Sequence, residues 1–397
     1  MLRKISAVAL FIATIATISV MWLPAFWATA IAELSAFCLA AAWLIGFLMG
    51  KQRLQIRTVL ISLVAAAGWA AFQWVSGATI YRWATGQTML YWAAGASIVF
   101  VGLAVFDDRQ VRIAYLRALV VAGFIIAIVA PLQLFTAESK IYWLFDSPDG
   151  WRAMGPFPYA NQYAAFIELL FPIALTGVFV EKSGWKTFYG LAAAVMYASV
   201  FASTSRSGLI FTTIEVFVVP MLAARRSGIS FRQVAVPGLI FLGMLITMGL
   251  AVGPERMIEK FHQKNPYYGR LKFSEASLRM IADHPWIGIG AGNWARAYPA
   301  YATFDNGSYA NQAHNDWAEW TVEGGIPFLL IMVSAAAWSV RRAFKTGWGL
   351  GVAVVFCQCL MDFPIQRIGV AMVFFTVIAA IGYDDDSPRQ RRQPVPE

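Results

Sequence analysis

Apolar residues gather in blocks of roughly 16–25 separated by short polar connections, and a helical block of that length crosses a hydrocarbon core of about 30 Å. The pattern predicts membrane helices near 5–22, 28–49, 58–76, 89–106, 115–135, 160–180, 187–204, 208–223, 234–252, 316–340, 348–361 and 368–383. One polar stretch, 254–315, is too long for a connection and reads as an outer loop carrying short helices. The expected fold is therefore an all-α polytopic membrane protein with about twelve transmembrane helices.

Composition agrees with the pattern. Of the 397 residues, 59% are hydrophobic and 13% charged, against about 45–50% and about 25% in soluble domains, which excludes an ordinary soluble protein. The net charge of +9 would suit nucleic acid if it lay on one face, but the lysines and arginines sit in clusters between apolar blocks. With alternate connections taken as cytoplasmic, nineteen lysines and arginines fall on one set of short connections and five on the other: Arg82, Lys140, Arg152, Arg206 and Arg367. By the positive-inside rule both termini are then cytoplasmic and the 254–315 loop lies outside. The start, Met1 to Lys4 before an apolar run, has the charge of a signal peptide without a convincing cleavage site, and reads as the first span.

The chain divides into N-terminal transmembrane helices (1–150), a core of 151–340 that includes the outer loop, C-terminal transmembrane helices (341–383) and a cytoplasmic tail (384–397). Tryptophans near span ends, such as Trp22 and Trp317, fit interfacial anchoring. Cys38, Cys357 and Cys359 lie in apolar blocks with no histidine beside them, which argues against a disulfide framework or a zinc site.

Polar groups in or beside a span are expensive and call for a partner or a function. Four places stand out. Gly155-Pro-Phe-Pro-Tyr-Ala-Asn161 approaches a span in which Asn161 suits a helix cap and Glu168 should pair with an arginine or stay protonated. Ser203-Thr-Ser-Arg-Ser-Gly208 is a polar hinge whose Arg206, among small residues, suits an anion. In the outer loop, a helix from Leu271 would present Leu271, Leu278, Ile281 and Ala282 to the membrane surface, with Arg270 at its start as an anion ligand and Arg279 on a solvated face or against lipid headgroups. The closely spaced glycines of Gly288-Ile-Gly-Ala-Gly292 follow a helix rather than a strand, so a sharp turn packed against another backbone fits better than a dinucleotide fingerprint.

The fourth place, Ala313-His-Asn-Asp-Trp-Ala-Glu-Trp-Thr-Val-Glu323, opens the next span, with Asp316 and Glu319 at capping-box spacing. His314 stands just ahead of the helix, whose N-terminus disfavours a positive charge and leaves the imidazole able to accept a proton. His262 and His284 read as loop and turn residues. Glu319 and Glu323 share a face and could orient His314 or an arginine. No second histidine stands near His314 to complete a zinc site, a Ser–His–Asp triad would lack the Gly-x-Ser-x-Gly elbow, and no Walker loop is present.

One base and several arginines on an outer face suit transfer of a sugar from a lipid pyrophosphate. The leaving group is already a stable anion that arginines can hold, and the acceptor hydroxyl needs only a positioned base. The ordered set Gly155–Asn161, Ser203-Thr-Ser-Arg-Ser-Gly208, Arg270, His284-Pro-Trp-Ile-Gly-Ile-Gly290 and His314-Asn-Asp-Trp resembles the bacterial O-antigen ligase and polymerase superfamily, over about residues 150–330. The resemblance implies a GT-C-type glycosyltransferase of the bacterial inner membrane with a periplasmic active site and no metal or cofactor. It implies His314 as catalytic residue and Arg206 and Arg270 as substrate-binding residues. Its substrates would be an undecaprenyl-pyrophosphate-linked glycan and an acceptor, lipid A core for a ligase or a growing glycan for a polymerase. Protein O-glycosylation is a further form of the same chemistry. Ala318, where the family commonly shows leucine, is a departure that touches local packing. A lipid or solute transporter is the alternative from another class, and would place its polar groups near the membrane midplane.

Overall fold

The computed structural model describes residues 2–23, 26–50, 55–138, 140–147, 152–181, 184–227, 267–304, 307 and 309–383, with isolated positions between 236 and 247. Most of the expected 234–252 span, His262 and the 384–397 tail lie outside the described residues.

Apart from a two-residue β-pairing of Lys140–Ile141 with Phe145–Asp146, the described elements are helical. They are α1 (Leu2–Val20), α2 (Phe26–Leu48), α3 (Thr58–Ser76), α4 (Arg82–Val105), α5 (Arg109–Thr136), α6 (Ala160–Val180), α7 (Trp185–Ala202), α8 (Arg206–Ser227), α9 (Tyr268–Asp283), α10 (Trp294–Tyr301), α11 (Asp316–Thr346), α12 (Leu350–Gln358) and α13 (Ile368–Ile381). Among the described residues, eight of these are long and apolar enough to cross a membrane: α1 to α6, α8 and α11. The expected 348–361 and 368–383 pair forms two shorter helices. At about 1.5 Å per residue, the nine residues of α12 and fourteen of α13 fall short of about 30 Å. Pro364 and the polar Asp362, Gln366 and Arg367 interrupt the apolar run, and a 3₁₀ turn at Pro364–Gln366 takes the place of a continuous helix. The α13 helix is buried from Gly369 to Ile381.

Helix direction alternates, so the two ends of the bundle differ in chemistry. At one end Arg3 pairs with Asp107 at 3.1 Å, Arg117 with Glu181 at 2.8 Å, and Arg57 and Arg112 lie over the ring of Tyr383. At the other end stand the N-termini of α4, α6, α8, α11 and α13.

The glycine turn packs against backbone as its spacing predicts. Ile289 and Gly290 donate to the carbonyls of Val322 and Glu323 at 3.0 Å, and Ile80 donates to Ile289. Those α11 carbonyls are available because Gly325, at φ 68°, breaks the helix. Buried Gln73 on α3 closes the joint, its amide nitrogen donating to the carbonyls of Ile287 and Glu323 and its oxygen accepting from Ala291 N. Gly290 has φ +99°, and a Cβ there would lie 2.8 Å from Thr79 Cα. Gly290→Ala should therefore weaken the joint by about 1–3 kcal/mol, read as a lower thermal midpoint of the purified protein and faster proteolysis of the outer loop. An unchanged midpoint and cleavage rate would mean that the turn shifts freely.

One local expectation is corrected. The N-cap of α11 is Asn315, whose side chain accepts from Ala318 N at 3.0 Å, rather than Asp316. Asp316 instead accepts from Gln366 at 2.7 Å, and Glu319 accepts from Ala313 N at 2.7 Å. On α9 the packed face is Ala276, Ser277 and Met280, while Leu271 and Leu278 are about two-thirds exposed. The α9 packing is set by Trp294 and Tyr298 of α10, which close over Phe273.

Candidate active site

The polar end of the bundle assembles one constellation from five separate stretches. Its hub is Asp362, in the break between α12 and α13. His314 Nδ1 lies 3.3 Å from Asp362 Oδ1, and Arg270 NH2 lies 3.3 Å from Oδ2. Asn161 Nδ2 donates to the same Oδ2 at 2.6 Å, and Phe363 N donates to Oδ1. Burial pushes this carboxyl up, yet the hydrogen bond from His314 and the charge of Arg270, helped by Asn161, prevail and hold it below the usual aspartate range. The carboxylate is thus ionised across the neutral range. Its contribution to stability is present above the unfolded value of about 3.9 and is lost only as pH falls through the lower folded value.

Each partner is fixed locally. Arg270, in the first turn of α9, also donates to the Met361 carbonyl at 2.8 Å. His314 adopts φ +54°, a strained conformation for a residue other than glycine. The ring stacks on Phe273 with planes 9° apart and meets the edge of Phe363. With Asp362 opposite Nδ1, the tautomer that donates there leaves Nε2 as the proton acceptor. Glu319 acts one residue upstream, through Ala313 N; the bond of Glu323 is to Trp294 N. Neither carboxylate bonds the imidazole or an arginine.

Asn161 is not a helix cap. The α6 N-cap is Tyr159, and the Asn161 side chain links three segments: besides Asp362, it accepts from Ser205 Oγ at 2.9 Å and from Arg152 NH2 at 3.3 Å. Arg152 also donates from Nε to the Ser203 carbonyl at 2.9 Å, which ties the approach to α6 onto the α7–α8 hinge. Arg206 opens α8, with its guanidinium 4.8 Å above the ring of Tyr267. Among the described residues Glu168 meets no arginine, and both its carboxyl oxygens are buried without a hydrogen-bond partner.

Arg152, Arg206, Tyr267, Arg270 and His314 line a cavity of about 520 Å³. A second cavity, of about 250 Å³, shares Arg152, Asn161 and His314 with it and adds Asp362, Phe363 and Arg367. His314 thus stands in the partition between two cavities, one of them rich in guanidinium groups. Among the described residues no group of three His, Cys, Asp or Glu side chains is placed to hold a metal ion.

Residues 191–333 match the family model Wzy_C, described as O-antigen ligase. This membrane protein thus carries a stretch that matches an O-antigen ligase domain. Members of that family transfer lipid-linked glycans. No curated protein matches the chain. The matched stretch carries Arg206, Arg270 and His314, and the structure brings His314 and Arg270 onto one carboxylate, with Arg206 lining the same cavity.

The rest of the constellation comes from outside the matched stretch. Arg152 and Asn161 precede it, and Asp362 and Arg367 follow it. Asp362 has a signal in the sequence: it is the one carboxylate between Leu350 and Tyr383, and it stands in an apolar run where a charge is expensive.

Proposed function

We propose that the chain transfers a glycan from an undecaprenyl-pyrophosphate donor to an acceptor hydroxyl at the periplasmic face, with ligation to lipid A core as the preferred form and polymerisation or protein glycosylation as variants. The observation that carries this reading is the convergence of His314 and Arg270 on Asp362 in the wall of a cavity that also holds Arg206 and Arg152. The opposite end of the bundle gathers Arg3, Arg57, Arg112 and Arg117, and by the positive-inside rule this supports a cytoplasmic assignment there and a periplasmic one for the site. The catalytic core then spans 151–340, completed by Asp362 from the C-terminal helices.

In this reading the acceptor oxygen attacks the anomeric carbon of the donor. Its proton passes to His314 Nε2 as the bond from that carbon to the pyrophosphate oxygen breaks, and the bonding electron pair leaves with undecaprenyl pyrophosphate. Arg206 and Arg270 hold the charge that gathers on the leaving group, so neither a general acid nor a metal is required. Asp362 keeps Nδ1 protonated and steadies the imidazolium as it forms.

Arg270→Lys tests whether Arg270 holds the leaving group through its planar fork rather than through charge alone. Lysine keeps the charge but loses the planar fork, so kcat/KM for the lipid-linked donor should fall by about 10-fold, measured in membranes with EDTA present. Transfer at the wild-type rate would show that Arg270 acts as a point charge or not at all, and loss of wild-type transfer in EDTA would reveal an overlooked metal.

A further inference from the structure

Beyond His314 the second cavity leads away from the donor arginines. It shares Tyr159, Asn311 and Arg367 with a third cavity of about 360 Å³, which runs between the ends of α1, α2 and α4 and is lined by Trp22, Phe26 and Tyr91. Arg367 therefore stands at the neck between them. Its guanidinium is sandwiched near the rings of Phe363 and Tyr159, 5.1 and 5.9 Å from their centroids. The hydrogen bond it makes is to a neutral group, NH2 to Gln312 Oε1 at 3.3 Å, while Nε is buried without a partner. Among the described residues it forms no ion pair, in contrast to Arg270, which holds Asp362. Burial depresses its pKa against the opposing pull of Tyr159, Glu319, Asp362 and Asp316, none of which bonds it.

Those carboxylates lie within electrostatic range but leave this half-buried guanidinium without a direct ion pair, so a ligand in either cavity can supply the negative charge that meets it. The surroundings describe what that is. Tyr159 and Trp22 offer accessible rings on which sugar faces can rest, and Asn311, Gln312 and Gln366 offer amides for hydroxyl groups. We infer that the second and third cavities form the acceptor subsite, and that Arg367 selects an acceptor glycan carrying an anionic substituent, a uronate carboxylate or a sugar phosphate, near the hydroxyl that His314 deprotonates. This rests on the glycan-transfer reading for its role, although the binding it describes can be measured without turnover.

The test uses the full chain in nanodiscs, titrated with octyl glucuronide, octyl glucoside 6-phosphate and neutral octyl glucoside, and separately with undecaprenyl pyrophosphate. Wild type should bind one or both anionic probes about 10–100-fold more tightly than the neutral one, the value of a charge-assisted hydrogen bond, and the tighter of the two identifies the anion. Arg367→Gln should abolish the preference with affinity for undecaprenyl pyrophosphate unchanged, which also reports that the variant is folded; Arg367→Lys should keep part of it. Equal binding of charged and neutral probes, a preference that survives Arg367→Gln, or a loss confined to undecaprenyl pyrophosphate would overturn the inference. Failure of the transfer reading looks different: charge-selective binding at Arg367 would persist in a protein that moves no glycan.

Discussion

Replacing His314 with alanine should lower glycan transfer by about 10²–10⁴-fold, the range a positioned general base contributes. The expectation follows from where the imidazole stands. Asp362 occupies its Nδ1 side, Phe273 and Phe363 fix the ring plane, and the partition between the guanidinium-rich cavity and its neighbour places the ring beside both. The loss should appear in kcat, because the arginines proposed to hold the donor are untouched. Affinity for undecaprenyl pyrophosphate should stay within a few-fold of wild type, about the precision of such a comparison. Transfer assayed in membranes, with insertion verified, gives the rate; near-wild-type activity would remove the assigned role of the base. A parallel loss of donor affinity would instead place His314 among the donor ligands.

Much of the fold is legible in the sequence because a lipid core imposes a coarse rule. Residues 58–76 and 160–180 form helices over the bounds their apolar runs predict, since a run of that length has no other way to satisfy its backbone in lipid. The rule fails where an apolar run is short of the membrane thickness. Residues 348–383 are apolar enough to suggest two spans, yet Pro364 and three polar side chains divide them, and α13 is a core helix enclosed by its neighbours.

The site is legible only in part, for a related reason. His314, Arg206 and Arg270 stand out locally, each in a polar stretch beside an apolar one. Asn161 does not, because an asparagine at a helix start suits a cap, and only the fold reveals that its amide spans Arg152, Ser205 and Asp362. Arg367 reads as one more interfacial charge until the two cavities are seen to meet on it. Pairing across 48 residues, as between His314 and Asp362, leaves no periodic trace in a single chain.

Asp362→Asn should be nearly as damaging as loss of the histidine, on the order of 10³-fold in transfer, although it changes one oxygen to one nitrogen. The carboxylate takes hydrogen bonds from His314, Arg270, Asn161 and Phe363 N. An amide has a single oxygen to offer these donors and brings two N–H groups of its own. If its nitrogen faces the imidazole, Nδ1 becomes the acceptor and the proton moves to Nε2, which withdraws the lone pair from the acceptor hydroxyl. If its oxygen faces the imidazole, Arg270 and Asn161 meet a nitrogen and the arginine is released from the wall. Either arrangement also removes the negative charge that steadies the imidazolium formed during transfer. Donor binding should hold or tighten, because Arg270 no longer shares its charge with Asp362, so the signature is a fall in kcat with KM for the lipid-linked glycan unchanged or lower. A variant that weakens donor binding while keeping kcat would show instead that Asp362 serves only to aim Arg270.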